Sequence, residues 1–350
     1  MVNLSGTCWT VFGRTSSCRG SCRGVSANRS RHASRQLTCR QLHLEVMTRD
    51  PRTDEQAQAA PGGPRNPPAT DEHTTPNSGT YADLAAVGPY GVRPGHALIT
   101  MVEPHPGQER AYNRWYEDDH YISGAMAMPW IFAGRRWVAT RELQLLRRPA
   151  RSAVARPVTA GCYLSTYWIT EGRYDDHMRW TVAINRRLNA DGRIHHARTH
   201  VFTAFHDHAA TVYRDGDRGP RDFHALDHPY AGLVVEIIDA ADADGRAALL
   251  RWLRDEWLPR RLAGSPAAMV TVFRPTPLPD DRMPYVRQVE GVDNRLTLLW
   301  FLQEDPRACW TPWFTGPDAE PAGPGGGRVE LVAPFLPTVP GTDRYVDELR

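Results

Sequence analysis

The apolar and polar positions settle into a regular rhythm after Gly95. Residues 96–103 form a short β-type run ended by Pro104, and residues 106–126 follow with helical spacing through Tyr112, Trp115, Tyr116 and Asp119. Residues 130–140 return to strand character. A polar Arg- and Pro-containing stretch then runs to Val158, and residues 162–170 are rich in aromatic and β-branched side chains. A second helix is predicted over 174–190, with Met178, Val182 and Leu188 at apolar positions, and a fourth strand over 199–213. The order is βαββαβ, the ferredoxin-like split βαβ.

From Ala231 the order starts again. Strands are predicted over 233–239, 269–275, 296–303 and 328–333, with a helix over 243–262. Residues 306–315, with Trp310, Pro312, Trp313 and Phe314, read as one irregular turn in place of the last helix. The halves align: Trp115-Tyr116-Glu117-Asp118-Asp119-His120 lies over Trp252-Leu253-Arg254-Asp255-Glu256-Trp257, and Pro129 over Pro266. The expected domains are a ferredoxin-like unit over 96–220 and a degenerate second unit over 231–345. A four-stranded sheet of this type has helices on one face only, and the duplicated unit can cover the other.

Composition narrows the function classes. The chain has 350 residues with a formal charge of +2, but residues 1–46 carry seven Arg against Glu45 alone, leaving 35 Arg against 39 acids downstream. The folded part is mildly acidic and lacks the electrostatic footprint of a nucleic-acid binder. Its apolar runs fall well short of the roughly 20 residues of a membrane-spanning helix. Residues 1–80 read as a disordered tail, with translation starting at Met47 as the favoured alternative to a transit peptide. Cys18 and Cys22 have no second ligand pair at zinc-site spacing, and Cys162 and Cys309 sit in apolar stretches, so a reducing, cytoplasmic compartment is expected.

Residues 97–138, with Pro106-Gly107, Asn113-Arg114-Trp115-Tyr116, His120 and Gly134-Arg135-Arg136, resemble the EthD-like group of dimeric α/β-barrel proteins. The segment from Pro334 to Tyr345 is similar to a tail of that group. The resemblance implies an α+β fold in which two tandem ferredoxin-like units close an intramolecular barrel with a small-ligand cavity. Relatives in the wider superfamily include cofactor-free isomerases, cyclases, dehydratases, monooxygenases and haem-handling enzymes. The second half departs from the pattern by placing Trp257 where the first has His120, so chemistry that depends on that histidine belongs to one half.

His120 is the leading candidate for catalysis. An unperturbed imidazole titrates near ~6.5 and exchanges protons at neutral pH. Tyr116 shares its helical face. The alternative is a histidine that hydrogen-bonds a carbonyl at the core edge or faces water. Trp130, Phe132 and Trp168 are candidates for lining a pocket for a flat ligand, against ordinary core packing. Arg136 could anchor a carboxylate or phenolate, or snorkel from a sheet edge. Glu236 sits between Val234 and Ile238 on a strand face that is either a polar cavity or solvent-exposed. Strand alternation puts His200, Phe202, Ala204, His206 and His208 on one side, and His206-x-His208 either begins a metal site or is solvated surface. Neither a phosphate loop nor a nucleophile elbow occurs, and no metal or other cofactor is expected. The expected function is a cofactor-independent lyase, isomerase or monooxygenase acting on a small aromatic or polyketide-like molecule in the barrel cavity, with His120 as acid or base. The alternative is a non-catalytic barrel binding a small ligand or haem. The partner is a small molecule rather than nucleic acid or membrane, and the chain is expected to be a monomer with an internal pseudo-dimer or a weak homodimer.

Overall fold

Eight strands carry the architecture: β1 (Pro94–Pro104), β2 (Ile131–Val138), β3 (Tyr163–Thr170), β4 (Arg198–Tyr213), β5 (Gly232–Asp239), β6 (Ala267–Thr276), β7 (Arg295–Leu302) and β8 (Arg328–Pro337). They belong to a computed structural model that describes residues 93–350 apart from Pro129, Tyr285 and Ala322. The expectations for the tail, its cysteines, a start at Met47 and the pairing of Pro129 with Pro266 lie outside the described residues.

The strands close into one barrel, in the order β1-β3-β2-β8-β5-β7-β6-β4. Cut at the two junctions, it reads β4-β1-β3-β2 and β8-β5-β7-β6, the same ferredoxin-like order twice. The junctions are unequal: β4 and β6 pair from Phe205↔Thr276 to Tyr213↔Met269, whereas β2 and β8 meet only at Trp137↔Pro337 and Val138↔Leu336. The chain has the α+β architecture of a dimeric α/β barrel, closed within one polypeptide. β3, β5 and β7 are buried along their whole length, because the barrel covers one face and helices the other.

Helices flank each sheet on its outer face. In the first half, α1 (Glu109–Trp115) runs on through two wider turns, Tyr116–His120 and Ile122–Met126, and α3 (Tyr174–Ala190) lies beside it, while α2 (Arg141–Leu146) sits in the β2–β3 connection. In the second, α4 (Ala243–Trp252), a wide turn (Leu253–Trp257) and α5 (Leu258–Leu262) form the first helical segment, and α6 (Pro306–Phe314) the last. The expected irregular turn at 306–315 is therefore a helix. Asp305 caps it by accepting from the Arg307 N–H (2.9 Å), and Pro312 is tolerated inside it.

The barrel interior is a packed core. Trp137, Trp168, Phe273, Phe301 and Phe335 are all fully buried, and the Trp168 ring lies 5.4 Å from Phe273 and 6.4 Å from Phe301 across the two halves. Each such side chain contributes about 1.5–3 kcal/mol by burial. The expectation of a ligand cavity inside the barrel is corrected here: large aromatic side chains fill it.

Long connections cross between halves. The Arg148 backbone bridges Val332, while the 18-residue segment 277–294 between β6 and β7 reaches the first half, where Arg186 of α3 donates to the Asp281 carbonyl (2.7 Å). The carboxyl-terminal segment is tied to α1: Asn113 Nδ2 donates to the Thr342 carbonyl (2.9 Å), and Arg110 and Arg114 both pair with Asp343. Among the described residues no helix is long and apolar enough to cross a membrane.

Candidate functional site

The sequence Trp115-Tyr116-Glu117-Asp118-Asp119-His120 leaves α1 through a π turn, in which the Tyr121 N–H bonds the carbonyl of Tyr116 five residues back. In an α-helix, residues five apart would point about 140° from each other. The wider turn brings them to one side, and the His120 ring stacks on Trp115 at 4.4 Å and 20°. Tyr116 meets His120 edge-on at 5.3 Å. Gly124 allows this placement, because a Cβ there would lie 2.5 Å from the His120 ring. Among the described residues no group hydrogen-bonds the His120 imidazole, and its Nδ1 is fully buried.

His120 forms part of the wall of a cavity of about 130 Å³ between the helices and the outer face of the first sheet. Leu98, Thr100 and Val102 of β1, Tyr167 of β3, and Thr203 and Phe205 of β4 make its floor, and Met178, Thr181, Val182 and Asn185 of α3 one side. Leu278, Pro279, Arg282, Met283 and Val286 of the β6–β7 connection cover it, so the second half supplies the roof. An apolar cavity of about 150 Å³ takes up benzene, so this one has room for a single ring.

His200 also faces this cavity, against the alternation read from the sequence. Met101 pairs with Phe202 but Val102 with His200, which leaves Val201 as an extra residue. The bulge turns His200 onto the helix side with Thr203 and Phe205, while Phe202, Ala204 and His206 keep to the barrel interior. Arg198 Nε donates to His200 Nε2 (3.4 Å), His200 Nδ1 bonds Thr203 Oγ1 (2.8 Å), and Thr203 Oγ1 bonds Thr100 Oγ1 (2.7 Å). The Arg198 guanidinium lies 4.8 Å from the Trp115 ring centre.

Burial pushes the His120 pKa down to about 3, and the positive charge of Arg198 adds to the effect. The same two causes bring His200 to about 3. Both imidazoles are neutral at physiological pH, so His120 is not the readily exchanging group that its unperturbed value suggests. Tyr116 OH and Tyr167 OH share a hydrogen bond of 2.8 Å, and burial raises the Tyr167 pKa far above its usual range.

Of the residues singled out from sequence, the cavity gathers His120 and Tyr116. Arg136 sits behind it, 4.4 Å from the Tyr116 ring centre, with its guanidinium bound to Glu117 and to Asn113 Oδ1 (3.1 Å). Trp130 packs beside the outer face of the first sheet without lining the cavity, and Phe132 is 39% exposed. Trp168 is in the barrel core, its Nε1 donating to the Asp222 carbonyl (3.0 Å). Glu236 is buried on the helix side of the other half, accepting from Trp300 Nε1 (2.9 Å). His206 lies fully buried in the barrel against Thr297 Oγ1 (3.2 Å), which corrects both its surface and its metal readings. Among the described residues no group of three or more His, Cys, Asp or Glu side chains is placed to hold a metal ion. Sequence reasoning missed Arg198, Thr100, Thr203, Gly124 and the roof, and grouped His200 with the wrong strand face. The length of the 277–294 connection was the one readable signal, since loops this long without secondary structure are commonly functional.

The matched region of the second half is filled. Its π turn repeats the first, with Trp257 stacked on Trp252 at 6.2 Å and 28°. Trp257 also meets Trp300 edge-on at 5.9 Å, and Phe314 packs on both Trp300 and Trp310. Arg261, at the position matched to Gly124, extends over the Trp257 ring (5.7 Å).

No family model and no curated protein matches the chain. Solved structures do. An anthrone oxidase-like protein is 10% identical, with 71% of this chain and 93% of that one covered and a TM-score of 0.44. The encapsulated DyP-type peroxidase of Mycobacterium smegmatis is 13% identical over 75% of this chain and 95% of its own, with a TM-score of 0.38. A haem-bound variant of Rhodococcus jostii RHA1 DypB is 11% identical over 76% and 98%, with a TM-score of 0.39.

Proposed function

We propose that the first half is an enzyme site for a small single-ring molecule, held between the sheet and helices α1 and α3, with His120 accepting a proton from the substrate. The observation that carries this reading is the His120 imidazole, which stands on a cavity wall with its buried Nδ1 unpaired among the described residues. A buried polar atom left unpaired costs about 1–3 kcal/mol. A bound molecule with a hydroxyl or an acidic C–H would offset that cost. The matched position of the other half, free of any such need, holds a tryptophan.

At rest the imidazole is neutral and offers one acceptor and one donor. It is a weak base while the cavity is empty, because burial and Arg198 disfavour its cation. As the substrate loses its proton, negative charge develops beside the ring and stabilises the imidazolium that forms. The imidazolium then returns the proton to another atom of the same molecule, which completes an isomerisation, or to a leaving group as its bond to the ring-bearing molecule breaks, which completes a lyase step. Tyr116, edge-on to His120, and Tyr167 of the floor are joined by their hydroxyl hydrogen bond. A haem does not fit this arrangement: the cavity accommodates about one ring, whereas a tetrapyrrole has four.

The test uses the full chain with phenol and toluene as probes and mass spectrometry of whatever small molecule it retains on purification. Both probes should bind, with phenol weakened about tenfold by His120→Leu and toluene unaffected. His120→Gln should lower conversion of the retained compound by roughly 100-fold or more. Conversion undiminished in His120→Gln overturns the catalytic role, and binding without any conversion assigns the chain to ligand carriage instead.

A further inference from the structure

The hydroxyls of Tyr116 and Tyr167 hold one more hydrogen than their own contact uses. Their oxygens are buried 2.8 Å apart, and this is the only hydrogen bond of either hydroxyl among the described residues. Each phenol brings one hydrogen. Whichever hydroxyl donates, the other keeps an O–H without an acceptor, in a pair whose two residues both line the cavity. Burial raises the Tyr167 pKa far above its usual range, so that hydroxyl stays protonated at neutral pH. Both rings are fixed. Tyr116 lies 4.4 Å from the Arg136 guanidinium, with the Tyr112 and His120 rings at 5.8 and 5.3 Å. Tyr167 stands on β3 opposite Gly134 of β2, where a Cβ would come within 2.7 Å of its ring. The second half, whose matched region is filled, has Leu253 in place of Tyr116 as well as Trp257 in place of His120.

We infer that the free hydroxyl hydrogen of the Tyr116–Tyr167 pair binds a carbonyl oxygen, and that the substrate is a small cyclic ketone with an acidic C–H beside that carbonyl. The inference rests on the proposed ligand site and names its substrate class. In the step it describes, the C–H bond next to the carbonyl breaks and the proton passes to an imidazole nitrogen of His120. The electron pair left behind forms a C=C bond, and the carbonyl π pair moves onto oxygen. The tyrosine pair donates to that oxygen, and a donor already fixed in place gains strength as the negative charge develops. Return of the proton to the same carbon or to a conjugated one gives an epimer or a shifted double bond and restores the neutral imidazole, so no further reactant is consumed. The cavity, with room for a single ring, limits the size of the ketone.

Cyclohexanone and methylenecyclohexane share a ring and differ in C=O against C=CH2. Their affinities for the full chain, measured by titration calorimetry, and the uptake of deuterium by cyclohexanone in D2O, followed by mass spectrometry, test the inference. Exchange should run faster with the protein than in buffer, and Tyr116→Phe/Tyr167→Phe should slow it by roughly 100-fold. The same double variant should lower the ketone-to-alkene affinity ratio about tenfold while still binding the alkene, which shows the cavity intact. Each single Phe variant keeps one hydroxyl hydrogen and should slow exchange only several-fold; these variants carry the test if the double variant binds neither ring, and an unchanged rate in both overturns the inference. An affinity ratio or an exchange rate unchanged in a double variant that binds the alkene overturns the carbonyl role while leaving the ligand site standing. Ketone binding without exchange above the buffer rate overturns the enolate step and the inference with it. Failure of both rings to bind the unaltered protein overturns the site itself.

Discussion

In the first half a π turn lays an imidazole on Trp115; in the second, the matched turn lays a second indole on Trp252. The backbone device is the same, and the residue five positions on decides what it makes. With His120 and Gly124, space remains between helices and sheet, and a polar ring faces it. With Trp257 and Arg261, the same region is occupied by side chains. On the proposed reading the two halves divide two duties: the first keeps the cavity, and the second contributes packing and the roof over it. The halves are complementary rather than redundant, because the 277–294 segment of the second covers the cavity of the first.

The largest expected effect breaks the packed side. Trp257 is 5% exposed, so Trp257→Ala should cost about 3–5 kcal/mol in chemical denaturation. His120→Ala should cost less than about 1.5 kcal/mol, because it removes an unpaired polar group along with its packing. Equal costs would mean that both positions serve structure alone.

The halves should also differ in their response to pH. Glu236 in the second half is raised to about 7 by burial, from an ordinary 4.5. Its folded-state pKa lies above the unfolded value, so its contribution is intact below pH 4.5 and is lost as pH rises through 7. Glu236→Gln should therefore stabilise the protein at pH 8 relative to pH 4, by up to about 3 kcal/mol. A melting-temperature difference that does not change with pH would contradict the buried carboxylate. The first half carries the opposite dependence. Burial holds His120, His200 and His206 at about 3 and His177 at about 4, all below an ordinary 6.5. Their contribution is complete above pH 6.5 and falls away as pH drops toward 3, with a slope of up to about 1.4 kcal/mol per pH unit for each. Melting temperatures recorded from pH 7 to 4 should decline, and less so in His200→Gln; a flat profile would contradict it.

Much of the fold was legible because its elements obey simple periods. The order of strands and helices could be read twice over, and the alignment of Trp115 with Trp252 marked the repeat. Three physical effects hid the rest. A π turn and an α-helix share the same composition, so residues 106–126 read as one regular helix although its hydrogen-bond ladder widens after Trp115. Alternation fails at a bulge, and the extra residue Val201 separated His200 from Phe202, Ala204 and His206, with which simple alternation grouped it. Aromatic residues suit a pocket and a core equally, and only packing shows that Trp168 fills the barrel while Trp115 supports a site. Arg136 was a candidate anion anchor, against snorkelling from a sheet edge, because of its place on a strand, but it is already bound to Glu117, and the guanidiniums at the cavity are Arg198 and Arg282. Neither stands out in a chain whose 42 basic residues are all arginine.

The central claim is that the two halves share a plan and only the first binds a ligand. A crystal structure of the full chain soaked with 4-bromophenol tests this most directly, because bromine is located by its anomalous scattering independently of any assumption about the site. The account predicts one bromine beside His120, under the 277–294 segment and against α3, and none at Trp257 or inside the barrel. Bromine in the barrel or against Trp257, with the His120 cavity empty, would contradict it.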